Sequence, residues 1–265
     1  MDAKNIYLLA SNSFGLAGQY SQIVFSQSGD GGKTWRKPRE MANFDYMAGG
    51  ATGYSVAGGL GGELLVTWDY YDYTGIERII ARRSGNFGRT FDSPVVAAEE
   101  VHRTTHDPDV KVGSGGVAYI VYAAYDSATA QSSIRYIYSN GAPYKAWAAP
   151  VTLSGPGRLS YTPALAVENC GRANLLHVTW LDDRMNVSYT RKITGSGYAW
   201  SKTIRISNAS SPVSDQPAFS DLAAGGGNAF AIWTDRRPIT DPGNYATNVY
   251  GSRITSGVDC GAGSS

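Results

Sequence analysis

Residues 28–35 read SGDGGKTW. Three glycines between positions 29 and 32 make a tight backbone turn. The Asp between them, and the Ser and Thr flanking it, carry oxygens that accept hydrogen bonds from the turn's own N–H groups. The closing Trp is expected to pack between sheets. The slot recurs at 84–91 as SGNFGRTF, with Asn86 for Asp30 and Phe91 for Trp35. Decayed copies follow at 139–147 (SNGAPYKAW) and 194–200 (TGSGYAW). A motif that repeats and decays without loss of register reads as a folding device, because a ligand loop more often occurs once.

Working outward, each copy sits inside a larger repeat. An apolar run, an aromatic anchor and then charged residues recur as LLVTWDYYD (64–72), YIVYAAYD (119–126), LHVTWLDDR (176–184) and FAIWTDRR (230–237), with a weaker IYLLASNS (6–13). The anchors Trp68, Tyr122, Trp180 and Trp233 are spaced 54, 58 and 53 residues apart. An alternating apolar and polar phrase follows each copy: SQIVFSQS, ERIIARRS, SIRYIYS, NVSYTRK and NVYGSRI. Another phrase precedes four of the copies (GYSVAGG, DPDVKVG, TPALAVE, QPAFSDL), and a fourth closes the first four units (RKPREM, DSPVVAA, AAPVTLS, SKTIRIS). Each unit is therefore four short strands in about 55 residues. The chain is expected to be all-β, a β-propeller of four-stranded antiparallel blades, with five repeat units, so five blades with six open. Residues 1–265 form one domain in this reading. The first unit lacks its first strand and the fifth a clear fourth, which leaves open that the domain is cut from a longer chain.

Composition narrows the partners. Lys and Arg number 23 against 22 Asp and Glu, so no net field favours nucleic acid. No run of 18 apolar residues exists, so membrane insertion is not expected. The start, MDAKNIYLLASNS, has neither the basic stretch nor the cleavage region of a signal peptide.

The octapeptide resembles the Asp-box, or BNR repeat, of the sialidase superfamily, S-x-D-x-G-x-T-W. The first copy matches at Ser28, Asp30, Gly32, Thr34 and Trp35, and the second at Ser84, Gly88 and Thr90, with Asn86 and Phe91 as substitutes. The resemblance covers essentially the whole chain. It implies an extracytoplasmic glycan-acting propeller whose Asp-boxes lie in the loops between third and fourth strands, away from the active site.

Blade topology places the function at the other end. Loops joining strands two and three, and those joining one blade to the next, emerge opposite the Asp-boxes. They carry Asp69, Tyr70, Tyr71 and Asp72; Tyr125 and Asp126; Asp182, Asp183 and Arg184; Asp235, Arg236 and Arg237; and, between blades, His102, Arg103, His106, Asp107 and Tyr161. Such a ring suits a polar ligand such as a sugar. Asp69, His106, Asp107, Asp183, Arg184, Asp235, Arg236 and Arg237 are the candidate ligand-binding residues. The competing reading makes DDR and TDRR salt bridges between blades, each of small energy. HDPDV resembles the Asp-Pro start of five-bladed glycosidases, but YTPAL and DQPAF hold the same slot, so the Pro is a repeat feature. His102 and His106 lack an evident third ligand, and no metal or cofactor is expected.

The resemblance also implies a catalytic set. Sialidases hold the substrate carboxylate with three arginines, use a Tyr paired with a Glu as nucleophile, and use an Asp as acid or base. A phenol needs such a carboxylate to take its proton. Asp72, Glu77, Asp126 and Tyr250 are the candidates, although the family's early arginine motif is missing. The leading expectation is a propeller that binds glycans through its polar ring. The alternatives are a glycoside hydrolase of exo-sialidase type, and a structural or protein-binding propeller of a larger surface protein. Oligomeric state is not readable.

Cys170 lies in ENCGR, between strands one and two of unit four, and Cys260 follows the third strand of unit five. Both positions fall on the Asp-box face of neighbouring blades. They are expected to form a disulfide, which would favour an oxidising compartment; two unrelated thiols are the alternative.

Overall fold

A computed structural model describes residues 4–14, 20–45, 50–51, 53–72, 74, 76–101, 103–155, 159–182, 186–195, 197–208, 220–235, 248–255, 257–258 and 260. Eighteen strands are described, in five antiparallel sheets that follow the chain. Sheet one holds β1 (Ile6–Phe14), β2 (Tyr20–Ser28) and β3 (Arg39–Asp45). Sheet two holds β4 (Tyr54–Gly58), β5 (Leu64–Tyr71), β6 (Ile76–Ser84) and β7 (Val95–Val101). Sheet three holds β8 (Arg103–Val112), β9 (Ala118–Asp126), β10 (Gln131–Tyr138) and β11 (Val151–Thr152). Sheet four holds β12 (Ser160–Cys170), β13 (Ala173–Asp182), β14 (Val187–Ile193) and β15 (Ile204–Arg205). Sheet five holds β16 (Ser220–Gly225), β17 (Asn228–Asp235) and β18 (Asn248–Thr255).

The second strand of each middle sheet is a nearly unbroken apolar run because both of its faces are covered. Leu64, Val66 and Trp68 of β5 pack with Ile23 and Phe25 of sheet one. Leu65, one residue out of phase, packs with Ile79, Val110, Ile120 and Tyr122 toward sheet three. The pattern repeats between sheets three and four, where Tyr119, Val121 and Tyr136 meet Leu165, Val178 and Trp180. It repeats again between sheets four and five, where Leu181, Val187 and Tyr189 meet Leu222, Ala231 and Trp233. Four apolar clusters thus join five sheets in series, and every anchor aromatic points at the preceding sheet. Each fully buried large side chain contributes roughly 1.5–3 kcal/mol. The first strands β4, β8, β12 and β16 pack one on the next, which makes the arrangement radial.

The octapeptide turns are two copies of one hydrogen-bond network. In the first, the Ser28 hydroxyl donates to Asp30 Oδ1 (2.7 Å) and accepts the N–H of Asp30 (3.3 Å) and Gly32 (2.8 Å). Asp30 accepts from Thr34 N–H (2.9 Å) and from its hydroxyl (2.6 Å), and these bonds hold its carboxyl down to about 2. In the second, Ser84 accepts the N–H of Asn86 (3.3 Å) and Gly88 (2.9 Å), and Asn86 bonds Thr90 through N–H (2.8 Å) and hydroxyl (2.8 Å). Gly88 has φ +76°, and a Cβ there would lie 2.6 Å from Phe25. Ser28→Ala and Ser84→Ala are each expected to destabilise by about 1 kcal/mol or somewhat more, because each leaves two N–H groups without an acceptor, of which that of Gly88 is buried and the others part-buried. Urea unfolding of the two variants measures this, and a silent Ser84→Ala would separate the turns into unlike devices.

One expectation fails here. Trp35 does not pack between sheets and is 44% exposed, its Nε1–H donating to Gly32 O at 3.1 Å. The equivalents pack backward: Phe91 sits edge-on to Phe25 (5.0 Å), and Trp200 edge-on to Tyr136 (5.0 Å). Trp147 packs on the cluster containing Leu65 and Ile79. Among the described residues no sheet precedes sheet one, so Trp35 has nothing behind it to meet.

Candidate functional site

The turns follow the ends of β2 and β6 at Ser28 and Ser84, whereas Asp72, Glu77 and Asp126 lie at the opposite end of their sheets. The registers fix this: Leu64 pairs with Ser84 at one end of sheet two, and Tyr71 pairs with Glu77 at the other. Asp126 pairs with both Gln131 and Arg103 at that same end of sheet three.

His106, Asp107 and Tyr161, expected in loops between blades, are inside strands β8 and β12. Each strand carries a bulge there, with register shifts between His106 and Asp109 and between Tyr161 and Ala164. A bulge re-aims side chains and is enriched beside active sites. Asp107 has φ +52° and Thr162 φ +42°, and both precede a proline. The left-handed region is tolerable for Asp and costly for β-branched Thr. Gly53 is packed against this strand; a Cβ on it would lie 2.8 Å from Asp107 N.

Three carboxylates surround this junction of sheets two and three. Asp69, on the β5 face toward sheet three, is 1% exposed and accepts the Gly53 N–H at 2.6 Å. It therefore braces the backbone beneath the site instead of meeting solvent, which corrects its expected role as a ligand contact. Glu77 accepts a hydrogen bond from the Thr105 N–H. Burial, and then the charges of Asp69 and Asp72, raise its carboxyl to about 7 against that bond. Its Oε2 is buried and bonds to nothing among the described residues. Asp107 is exposed, yet enough protein crowds it to push its carboxyl above the ordinary value; His106 and the Thr162 N–H pull it back. Tyr161, 37% exposed, adds an aromatic edge.

The other candidates stand apart from this trio. Asp72 is committed to Arg78 Nη1 (2.6 Å) and to the Thr74 N–H (3.1 Å) and hydroxyl, and is held down to about 2. Asp126 closes a turn with the N–H groups of Ala128 (2.9 Å) and Thr129 (3.2 Å) and lies 3.7 Å from Arg103. Tyr250 stacks on Trp233 in sheet five (centroids 6.4 Å apart) and packs toward sheet four. The residue directly across the strand pair from Glu77 is Tyr71. Asp183, Arg184, Arg236, Arg237 and His102 lie outside the described residues, as does the side chain of Asp235. The residues missed by sequence reasoning are the backbone donors at Gly53, Thr105 and Thr162, and Glu100. Glu100 accepts from the Tyr122 hydroxyl (3.0 Å) and pairs with Arg103 (3.2 Å) and Arg135 (3.5 Å). Only the repeated X-Pro slot at 107–108 and 162–163 hinted at this geometry. No group of three His, Cys, Asp or Glu able to hold a metal occurs among the described residues. No described helix is long and apolar enough to cross a membrane.

Neither a protein-family model nor a curated protein matches the sequence. Solved structures do match. A Hadza microbial sialidase superposes with TM-score 0.61 at 14% identity, over 95% of this chain and 54% of its own. A protein of unknown function from Dyadobacter fermentans gives 0.63 at 13% identity, over 91% and 66%. An ulvan lyase of polysaccharide lyase family 25, bound to a glucuronate–sulfated rhamnose unit, gives 0.57 at 14% identity, over 97% and 63%. This chain spans about half to two thirds of their lengths. The likeness is one of fold, and the fold is a β-propeller.

Proposed function

We propose that residues 1–265 form one sialidase-like propeller domain, five-bladed, that binds carbohydrate outside the cytoplasm. In this reading the octapeptide turns are Asp-boxes, and the glycan site is the end opposite them. The observation that carries it is the bulged strand β8 where two sheets meet, which holds Asp107 exposed at a left-handed φ of +52° and, two residues earlier, donates the Thr105 N–H to Glu77, whose carboxyl is raised to about 7. A carboxylate and a carboxylic acid together accept from and donate to sugar hydroxyls, and Tyr161 offers a ring edge. Binding to a glycan array that includes sialylated structures tests the proposal. Asp107→Asn keeps the backbone tolerance of the site and removes the charge, so it is expected to weaken the best hit about tenfold or more. Unchanged glycan binding in that variant moves the site away from Asp107, and no binding to any glycan favours the protein-binding reading.

A second reading, a glycoside hydrolase, is favoured by one feature: an acid raised to about 7 suits proton transfer at neutral pH. With a fluorogenic sialoside little or no release is expected, because no full catalytic set is assigned. Robust release abolished by Glu77→Gln would promote the hydrolase.

A further inference from the structure

The unburied Trp35 opens onto a cleft of about 500 Å³ at the octapeptide end, walled by the two turns and lined also by Asn5, Asp30, Arg36, Phe87 and Arg89. That volume is within the range of small-ligand sites. Its walls are fixed. Gln27, 7% exposed, reaches from sheet one to the carbonyl oxygens of Phe87 and Gly88 in the second turn. Arg39 Nη1 donates to the carbonyl of Arg89. Arg36 is pinned through its N–H to Gln27 O (2.9 Å) and through its carbonyl, which accepts from Ser26 (2.7 Å). The guanidinium groups of Arg36 and Arg89 make no ion pair among the described residues. Asp30 also lines the cleft and keeps its negative charge, its oxygens bonded to Ser28 and Thr34, but it forms no ion pair with either arginine.

An exposed indole is a platform for the apolar face of a sugar ring, and a guanidinium fork matches a carboxylate or sulfate. We infer that this cleft is a second binding site, for a short acidic oligosaccharide, separate from the Asp107 end. Its sugar stacks on Trp35 and its anionic groups meet Arg36 and Arg89. Neutral sugars lack the second contact. The inference does not rest on the reading of the opposite end.

The probe is tri-galacturonate, with maltotriose as the neutral counterpart, followed by the indole N–H resonance of Trp35, which is identified by its disappearance in Trp35→Phe. A saturable shift in the millimolar range is expected with tri-galacturonate and not with maltotriose. It weakens steeply as salt is raised. Arg36→Ala and Arg89→Ala are each expected to weaken binding about tenfold, and Asp107→Asn to leave it unchanged. Unchanged resonances elsewhere in each variant establish that the fold is kept. No shift with tri-galacturonate, an equal shift with maltotriose, or full affinity in both arginine variants overturns the site.

Discussion

Replacing Cys170 and Cys260 together by serine is expected to lower global stability by about 4.5 kcal/mol, the loop-closure term for a crosslink of this span. The two residues are bonded, with Cα atoms 4.3 Å apart and 90 residues of separation. Cys170 is the last residue of β12, and Cys260 stands five residues past the end of β18. The bond thus ties the tail of sheet five to the turn end of sheet four. Removing it frees the unfolded chain more than it perturbs the folded one. The m-value in urea is therefore expected to rise while the native spectrum stays unchanged. For a chain of this size the midpoint of thermal unfolding falls by the order of 10 °C. Thiol titration in denaturant without reductant is expected to find no free thiol. Two free thiols would remove the bond and its argument for an oxidising compartment, and a double variant as stable as the parent would remove its stabilising role.

The repeat was legible because propeller packing writes itself into local sequence. Each middle sheet must cover both faces of its second strand, so Leu64–Trp68, Thr67 included, and Ala118–Ala124 are buried without alternation. Each aromatic anchor then recurs at the spacing of one unit. The turns were legible for the same reason, since their donors and acceptors lie within eight residues. Trp35 was misread because its burial depends on a neighbouring sheet, which an octapeptide does not encode. His106, Asp107 and Tyr161 were misread as loop because a bulged strand carries turn-like residues without ending.

The candidate site was legible in its residue types and its end of the fold, and less so in its roles. Asp72, Glu77 and Asp126 look alike in sequence. Asp72 is fixed by Arg78 and Asp126 by its own turn, whereas Glu77 is left poised. The difference comes from Thr105 and Asp69, groups brought close only by strand pairing and sheet packing. No periodicity reports that a backbone N–H from β8 reaches a carboxylate on β6, or that Glu100, directly across from Glu77, is already occupied by Arg103 and Tyr122.

Glu77 should therefore show itself in the pH dependence of folding. Its carboxyl is raised in the folded protein from the ordinary 4.5 to about 7. The unfolded chain thus releases this proton at lower pH than the folded protein does. Below pH 4.5 the group is protonated in both states and its favourable contribution is complete. As pH rises toward 7 the unfolded state ionises first, and stability falls. Above about 7 both states are ionised and the loss is complete. Asp72, held down to about 2, acts with the opposite sign and below this window. Asp107 is also raised, so it adds a slope of the same sign. Glu77→Gln keeps the shape and an acceptor for the Thr105 N–H but cannot ionise. The variant is expected to lose most of the decline between pH 4.5 and 7 and to exceed the parent in stability at pH 8. Denaturant unfolding of parent, Glu77→Gln and Asp107→Asn across that range separates the two carboxyls. If parent and Glu77→Gln decline in parallel, Glu77 is an ordinary exposed carboxylate, and neither the mixed donor and acceptor site nor the neutral-pH acid survives.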